Sequence, residues 1–245
     1  MADPFPPVYG WQGRAIPARM AVPLGTSRAV GLVFPGAAYT QERPLLVAAR
    51  EVLVAAGVEV LLSERYYGMD AELSKLTGEE RELCIATDAG AFGRAVLERA
   101  AGRPIFVMGK SLGTTSMAHA ITQVPDLAAF PSVWLTPLWK DEAILKVLLT
   151  AGPRALVVIG KADPQWDQEI ADKLLKKKVD IYAVEAADHG MTVSGSAAGT
   201  AQVLMELRVK LAALLATVLP TVSKVPIVPP VVPAVTPAHD PLFDE

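Results

Sequence analysis

Residues 109–113 read Gly-Lys-Ser-Leu-Gly, and the serine between the two glycines is the residue of this chain with the plainest chemical promise. It follows the apolar run "PIFVMG", which reads as a strand, and precedes "LGTTSMAHAITQ", which reads as a helix. Ser111 therefore falls on a strand-to-helix turn. Glycine on either side leaves out side chains where a sharply turned backbone must pass its neighbouring strand and helix. Such a turn lifts the Oγ above the sheet at a helix N-terminus, where unpaired N–H groups and the helix dipole favour a developing anion. The chemistry these features would serve is nucleophilic attack on a carbonyl.

A serine nucleophile needs a base, and the chain has three histidines. His119 lies on the helix that follows Ser111, about 12 Å along its axis at a rise of about 1.5 Å per residue, whereas proton transfer needs about 3 Å. His239 belongs to a proline-rich C-terminal stretch. His189, in "VEAADHGM", follows the last strand-like run and so shares the carboxyl edge of the sheet with Ser111, the edge at which open parallel sheets hold ligands. It is the expected base. The acid that orients it is expected at Asp163, in the loop directly after "ALVVIG". Two alternatives stand beside it. Asp167 looks like the start of the next helix, where an acid is favoured anyway, and Asp141 follows the preceding strand. Asp188 adjoins His189, but consecutive side chains usually diverge.

Around these residues, Tyr39, Tyr66, Tyr67, Trp139, Trp166 and Met191 all fall just beyond strand ends, and Tyr39, Trp139, Trp166 and Met191 are the expected apolar wall for an acyl group. Lys110 adjoins the nucleophile and would either tune its surroundings or point to solvent.

The elements that must position these groups alternate along the chain. Runs beginning at Ala29, Val58, Pro104, Val133, Ala155 and Asp180 read as buried strands. Between them, helical patterns span 44–56, 79–101, 112–123, 141–150 and 167–176, and a last one spans 196–218. Near-continuous apolar strands separated by helices predict an α/β domain with a mostly parallel sheet covered on both faces. The segment "YGWQGRAIPARMAV" is expected to add one or two antiparallel edge strands. With 245 residues, about half of them apolar, the chain is long enough for one such domain, expected over 1–219, followed by a proline-rich tail over 220–245.

Composition excludes several classes. A net charge of −3 gives no electrostatic footprint for nucleic acid or an anionic membrane. The one dense basic cluster, from Lys173, falls where a helix ends and complements its dipole. Cys84 is the single cysteine, so no internal disulfide forms, which fits a reducing compartment. No cysteine and histidine spacing suggests a metal site. No apolar run reaches the roughly 18 residues a membrane span needs, and the N-terminus has no signal-like pattern. A cytoplasmic location is the expectation, and the chemistry calls for no cofactor.

The order serine, aspartate, histidine, each on a strand-end loop, resembles the α/β-hydrolase superfamily. The resemblance covers about residues 8–218 and rests on "GKSLG", "GKADP" and "DHG", together with "VFPGAAY" after the strand at Ala29. It implies that the backbone amides of Ala37 and Leu112 form the oxyanion hole, with Ala38 an alternative to Ala37, because Pro35 stands where the family often has histidine. There is no room for a cap domain in "VWLTPLWKDEAILKVLL". The chain thus looks like the small uncapped branch, similar to dienelactone-hydrolase-like proteins, with serine where those commonly have cysteine. The resemblance implies a hydrolase for a small-molecule ester or thioester, with an acyltransferase or a catalytically silent binding scaffold as alternatives.

Overall fold

A computed structural model describes residues 5–219; the expected proline-rich tail and His239 lie outside the described residues. Seven strands form one sheet: β1 (Ala18–Ala21), β2 (Ala29–Phe34), β3 (Val58–Ser63), β4 (Ile105–Lys110), β5 (Ser132–Leu135), β6 (Ala155–Gly160) and β7 (Asp180–Val184). Their order is β1-β3-β2-β4-β5-β6-β7, with every pairing parallel except the antiparallel β1 on β3. The expected antiparallel addition is thus one edge strand, preceded by an isolated antiparallel bridge between Tyr9 and Ala15. β1 guards its edge with charge, since Arg19 pairs with Glu42 and Glu64.

Strands β2 through β6 are buried on both faces, which is why they read as continuous apolar runs rather than alternating ones. One face is covered by α1 (Pro44–Ala55) and α6 (Ala197–Val218), through Leu45, Leu46, Leu53, Val203, Leu207 and Leu211. The other is covered by α2 (Gly78–Ala100), α3 (Leu112–Gln123), α4 (Glu142–Ala151) and α5 (Gln168–Lys176). Capping side chains explain where these helices begin. Thr77 and Glu80 make reciprocal bonds at the start of α2, Asp141 accepts from the amides of Ala143 and Ile144, and Asp167 accepts from Ile170.

Two strands read longer in sequence than they are in space: the run from Asp180 continues through "VEA" while β7 ends at Val184, and β5 is likewise cut short. The run from Val133 continues to Leu138 on apolar character, but Thr136 adopts φ 43° and Pro137 follows, so regular pairing stops at Leu135. Only residues 136–141 separate β5 from α4, which leaves no cap over the carboxyl edge of the sheet.

Candidate active site

Ser111 sits between β4 and α3 with φ 52° and ψ −120°, a left-handed conformation that non-glycine residues rarely hold. Its surroundings enforce the turn. The Ser111 amide donates to Leu135 O at 2.9 Å, and the Ser111 carbonyl accepts from the Thr114 amide at 2.7 Å and the Thr114 hydroxyl at 2.6 Å. The flanking glycines are steric necessities. A Cβ on Gly109 would overlap the Gly113 carbonyl, and one on Gly113 would overlap the carbonyls of Phe34 and Pro35. β4 and α3 therefore cross closely, and the serine side chain stands clear of both.

Two further loops bring their side chains to it. After β6, the Asp163 amide donates to Gly160 O, Ala162 N–H to Ala187 O, and the Gln165 amide to Asp163 Oδ1 at 2.9 Å. That turn buries Asp163 at 3% exposure and leaves Oδ2 for His189. After β7, Asp188 Oδ1 accepts from the amides of Gly190 and Thr192 at 2.8 and 2.9 Å, folding the loop that presents His189. The result is a continuous chain: His189 Nδ1 lies 2.7 Å from Asp163 Oδ2, and His189 Nε2 lies 2.7 Å from Ser111 Oγ. The histidine side chain remains about a third exposed, so the chain opens on solvent at its reactive end.

The other acids and histidines take different places. Asp141 and Asp167 cap helices, and Asp188 bonds its own loop. His119 pairs with Glu82 at 2.6 Å between α3 and α2.

A cleft of about 500 Å³ lies over Ser111 and His189. Its floor is the 36–39 loop after β2, and its apolar wall is Tyr39, Leu45, Met191 and Leu204. Of the four expected wall residues, Tyr39 and Met191 are there and two are not. Trp139 is fully buried, its indole N–H donating to Gln165 O, and Trp166 packs on it with ring centroids 5.7 Å apart. Both indoles brace the Asp163 loop from behind because Thr136 turns the chain inward after β5, where sequence position alone places them beyond a strand end. Tyr66 and Tyr67 are likewise absent from the cleft; their hydroxyls meet the Gln41 amide and Asp88. Leu45 and Leu204 were not foreseen, since each belongs to a helix whose apolar stripe mostly serves the core.

The amides of Leu112, Ala37 and Ala38 find no intramolecular acceptor among the described residues. Ala37 O accepts from the Gly68 amide at 2.9 Å. The planar trans peptide then directs the Ala38 N–H away from Gly68, which is not part of the cleft. Gly68 approaches so closely that a Cβ there would lie 2.9 Å from Ala37 O. Among the described residues no cluster of His, Cys, Asp and Glu is arranged to hold a metal ion, and no helix is long and apolar enough to cross a membrane.

A mostly parallel sheet of this order, a serine on a left-handed turn after β4, and partners after β6 and β7 define the α/β-hydrolase fold, here without a cap. Solved structures agree on the fold. A lid-less α/β serine hydrolase of Xanthomonas campestris superposes with a TM-score of 0.63 at 14% identity, covering 90% of this chain and 100% of that one. Est1E from Butyrivibrio proteoclasticus, with ferulic acid bound, matches with a TM-score of 0.63 at 14% identity over 85% of this chain and 97% of its own. An esterase domain from Rhodothermus marinus matches with a TM-score of 0.60 at 14% identity, over 87% and 97% respectively. No protein-family model matches the sequence, and no curated protein matches it significantly.

Proposed function

We propose that this protein is a serine hydrolase that cleaves a carboxylic ester or thioester through an acyl-enzyme on Ser111. The observation that carries the reading is the unbroken line from Asp163 Oδ2 through both nitrogens of His189 to Ser111 Oγ, each step 2.7 Å. His189 Nε2 takes the hydroxyl proton as Oγ attacks the carbonyl carbon, and Asp163 holds the Nδ1–H tautomer and stabilises the imidazolium. The carbonyl electron pair moves onto oxygen, which the Leu112 amide and an amide of the 36–39 loop receive. The orientation of the Ala37 carbonyl toward Gly68 favours Ala38 N–H over Ala37 N–H for that second donor.

Collapse of the tetrahedral species expels the alcohol or thiol, protonated by His189. Water, deprotonated by the same nitrogen, then attacks the acyl-enzyme and releases the acid. The uncapped cleft suits small or surface-presented substrates. Treatment with a fluorophosphonate probe tests the reading: a single adduct on Ser111, with turnover of short p-nitrophenyl esters, is expected. Folded protein that neither labels nor turns over would instead be a binding scaffold, and product transfer to an added alcohol in preference to water would make it an acyltransferase.

A further inference from the structure

Lys110 ends β4 and immediately precedes the nucleophile, yet it is only 2% exposed. Its stem passes under the 36–39 loop, where a Cβ on Gly36 would stand 3.4 Å from Lys110 Cδ. Its ammonium lies 4.7 Å from the centroid of the Tyr39 ring and makes no ion pair or hydrogen bond with any described residue. The two carboxylates whose fields reach it are otherwise engaged, Asp163 with His189 and Asp188 with the amides of its own loop. Arg43, exposed at the start of α1, lines the same cleft and also makes no ion pair among the described residues.

A buried, unpaired ammonium is costly, and lysine is almost never fully buried without a partner. Burial pulls Lys110 down to about 8. A cation kept in this state on the wall of a cleft, with a second cation at the rim, lacks only its anion. Leu45, Met191 and Leu204 give the rest of the wall an aliphatic stretch, beside Thr192 and Thr200.

We propose that Lys110 and Arg43 form an anion subsite within the cleft, and that the preferred substrate is an ester or thioester whose aliphatic acyl chain carries a carboxylate. This rests on the hydrolase reading of Ser111. Lys110 supplies the desolvated point charge, where an ion pair is worth most, and the Arg43 guanidinium supplies a planar fork at the rim. Tyr39 holds the ammonium in place through its ring face.

The test compares the mono-p-nitrophenyl esters of succinic, glutaric and adipic acids with p-nitrophenyl butyrate, valerate and hexanoate, correcting each for spontaneous hydrolysis. At pH 7 at least one dicarboxylic half-ester should exceed its neutral partner by about tenfold in kcat/KM, mostly through KM. Lys110→Met should erase that ratio, and Arg43→Gln should lower it by about threefold. In the wild type the ratio should also decline as pH rises through about 8, where the ammonium loses its proton. His189 lines the cleft too, and the fields of Asp163 and Asp188 reach Lys110, but these groups act on both members of each pair; Arg43 keeps its charge, and Tyr39 is pushed up by burial and stays neutral. Should Lys110→Met fail to fold, the wild-type pH profile and Arg43→Gln decide.

Equal or lower kcat/KM for every half-ester, with Ser111 labelled and neutral esters turned over, overturns the subsite and leaves the hydrolase standing. A Lys110→Met enzyme that loses both series equally also overturns it, placing the lysine at the reaction centre. Absence of Ser111 labelling and of all turnover removes the hydrolase reading and the subsite together.

Discussion

Asp163 and Asp88 are both carboxylates withdrawn almost wholly from water, at 3% and 1% exposure, and both hold groups that follow strand ends. Asp88, on α2, accepts from the Trp11 amide at 2.8 Å, from Arg65 Nε at 3.1 Å and from the Tyr67 hydroxyl at 3.1 Å. Arg65 in turn reaches Asp70, and burial pushes the neighbouring Cys84 thiol up to about 11. Every member of that network has a buried, fixed partner, so it ties the N-terminal segment, the loop after β3 and α2 into one unit. Asp163 instead bonds a histidine whose far nitrogen meets a serine at the mouth of a cleft. The same buried charge thus anchors a closed network in one place and, in the other, a hydrogen-bonded line that ends at a cleft. The difference lies in the last member of each chain: a residue with nowhere left to go, or one exposed to a ligand.

Several variants would break or sharpen this contrast. Ser111→Ala should lower ester turnover by about 10⁴-fold or more while its thermal melt stays at or above that of the wild type, because the turn is kept and only the proposed nucleophile is removed. Near-normal turnover would dismiss Ser111 as nucleophile. Asp163→Asn should cost about 10³ to 10⁴-fold in kcat, since the histidine tautomer is no longer held. The helix caps provide its control: Asp141→Asn and Asp167→Asn should leave kcat intact, and a crippled Asp167→Asn would move the acid to the start of α5.

Asp88→Ala should act the other way round. Leaving Arg65 buried beside only Asp70 should destabilise the fold by about 3–5 kcal/mol, read as a lower denaturation midpoint, while Ser111 still labels in the folded fraction. Full stability in that variant would mean the closed network is ornamental. Lys110 gives a smaller effect with a definite pH sign. Its folded-state value, about 8 against the usual 10.5, means that burial penalises the charged form. The penalty is therefore complete below about pH 8 and fades as pH rises toward 10.5, where the unfolded chain also loses the proton. Lys110→Met should stabilise the protein at pH 7 by up to about 3 kcal/mol, a gain that shrinks at pH 10; a destabilised Lys110→Met would show that the stem's packing outweighs its charge. Gly68→Ala should have the least effect, about a tenfold drop in kcat with little change in KM, because its Cβ presses on Ala37 O and shifts the loop proposed to hold the oxyanion. Unchanged kcat would detach Gly68 from the site.

Much of the fold is legible in the sequence alone, and the reason is local. Among the described residues, strand and helix periodicity marks six of the seven strands and all six α-helices, because doubly covered parallel strands are continuous apolar runs and helices begin at recognisable caps. Ser111 is recognisable because the close crossing of β4 and α3 demands glycine at 109 and 113, and the sequence records that demand directly. Exclusion among three histidines points to His189, and the place after β6 points to Asp163 with Asp141 and Asp167 as alternatives; the structure brings His189, Asp163 and Ser111 into one hydrogen-bonded line.

Tertiary structure alone separated the three acids by partner: Asp141 and Asp167 cap helices and Asp163 bonds His189, a difference invisible until neighbouring loops fix where each carboxylate points. It alone also placed the indoles of Trp139 and Trp166 behind the Asp163 loop, and drew Leu45 and Leu204 from distant helices into the cleft. The burial of Lys110 is of the same kind. A lysine at a strand end gives no sign in sequence of whether its ammonium reaches water, because that depends on a loop some 70 residues earlier in the chain folding across it. Backbone-local demands leave their mark on residue type, whereas the direction in which a side chain finds space is a property of everything packed around it.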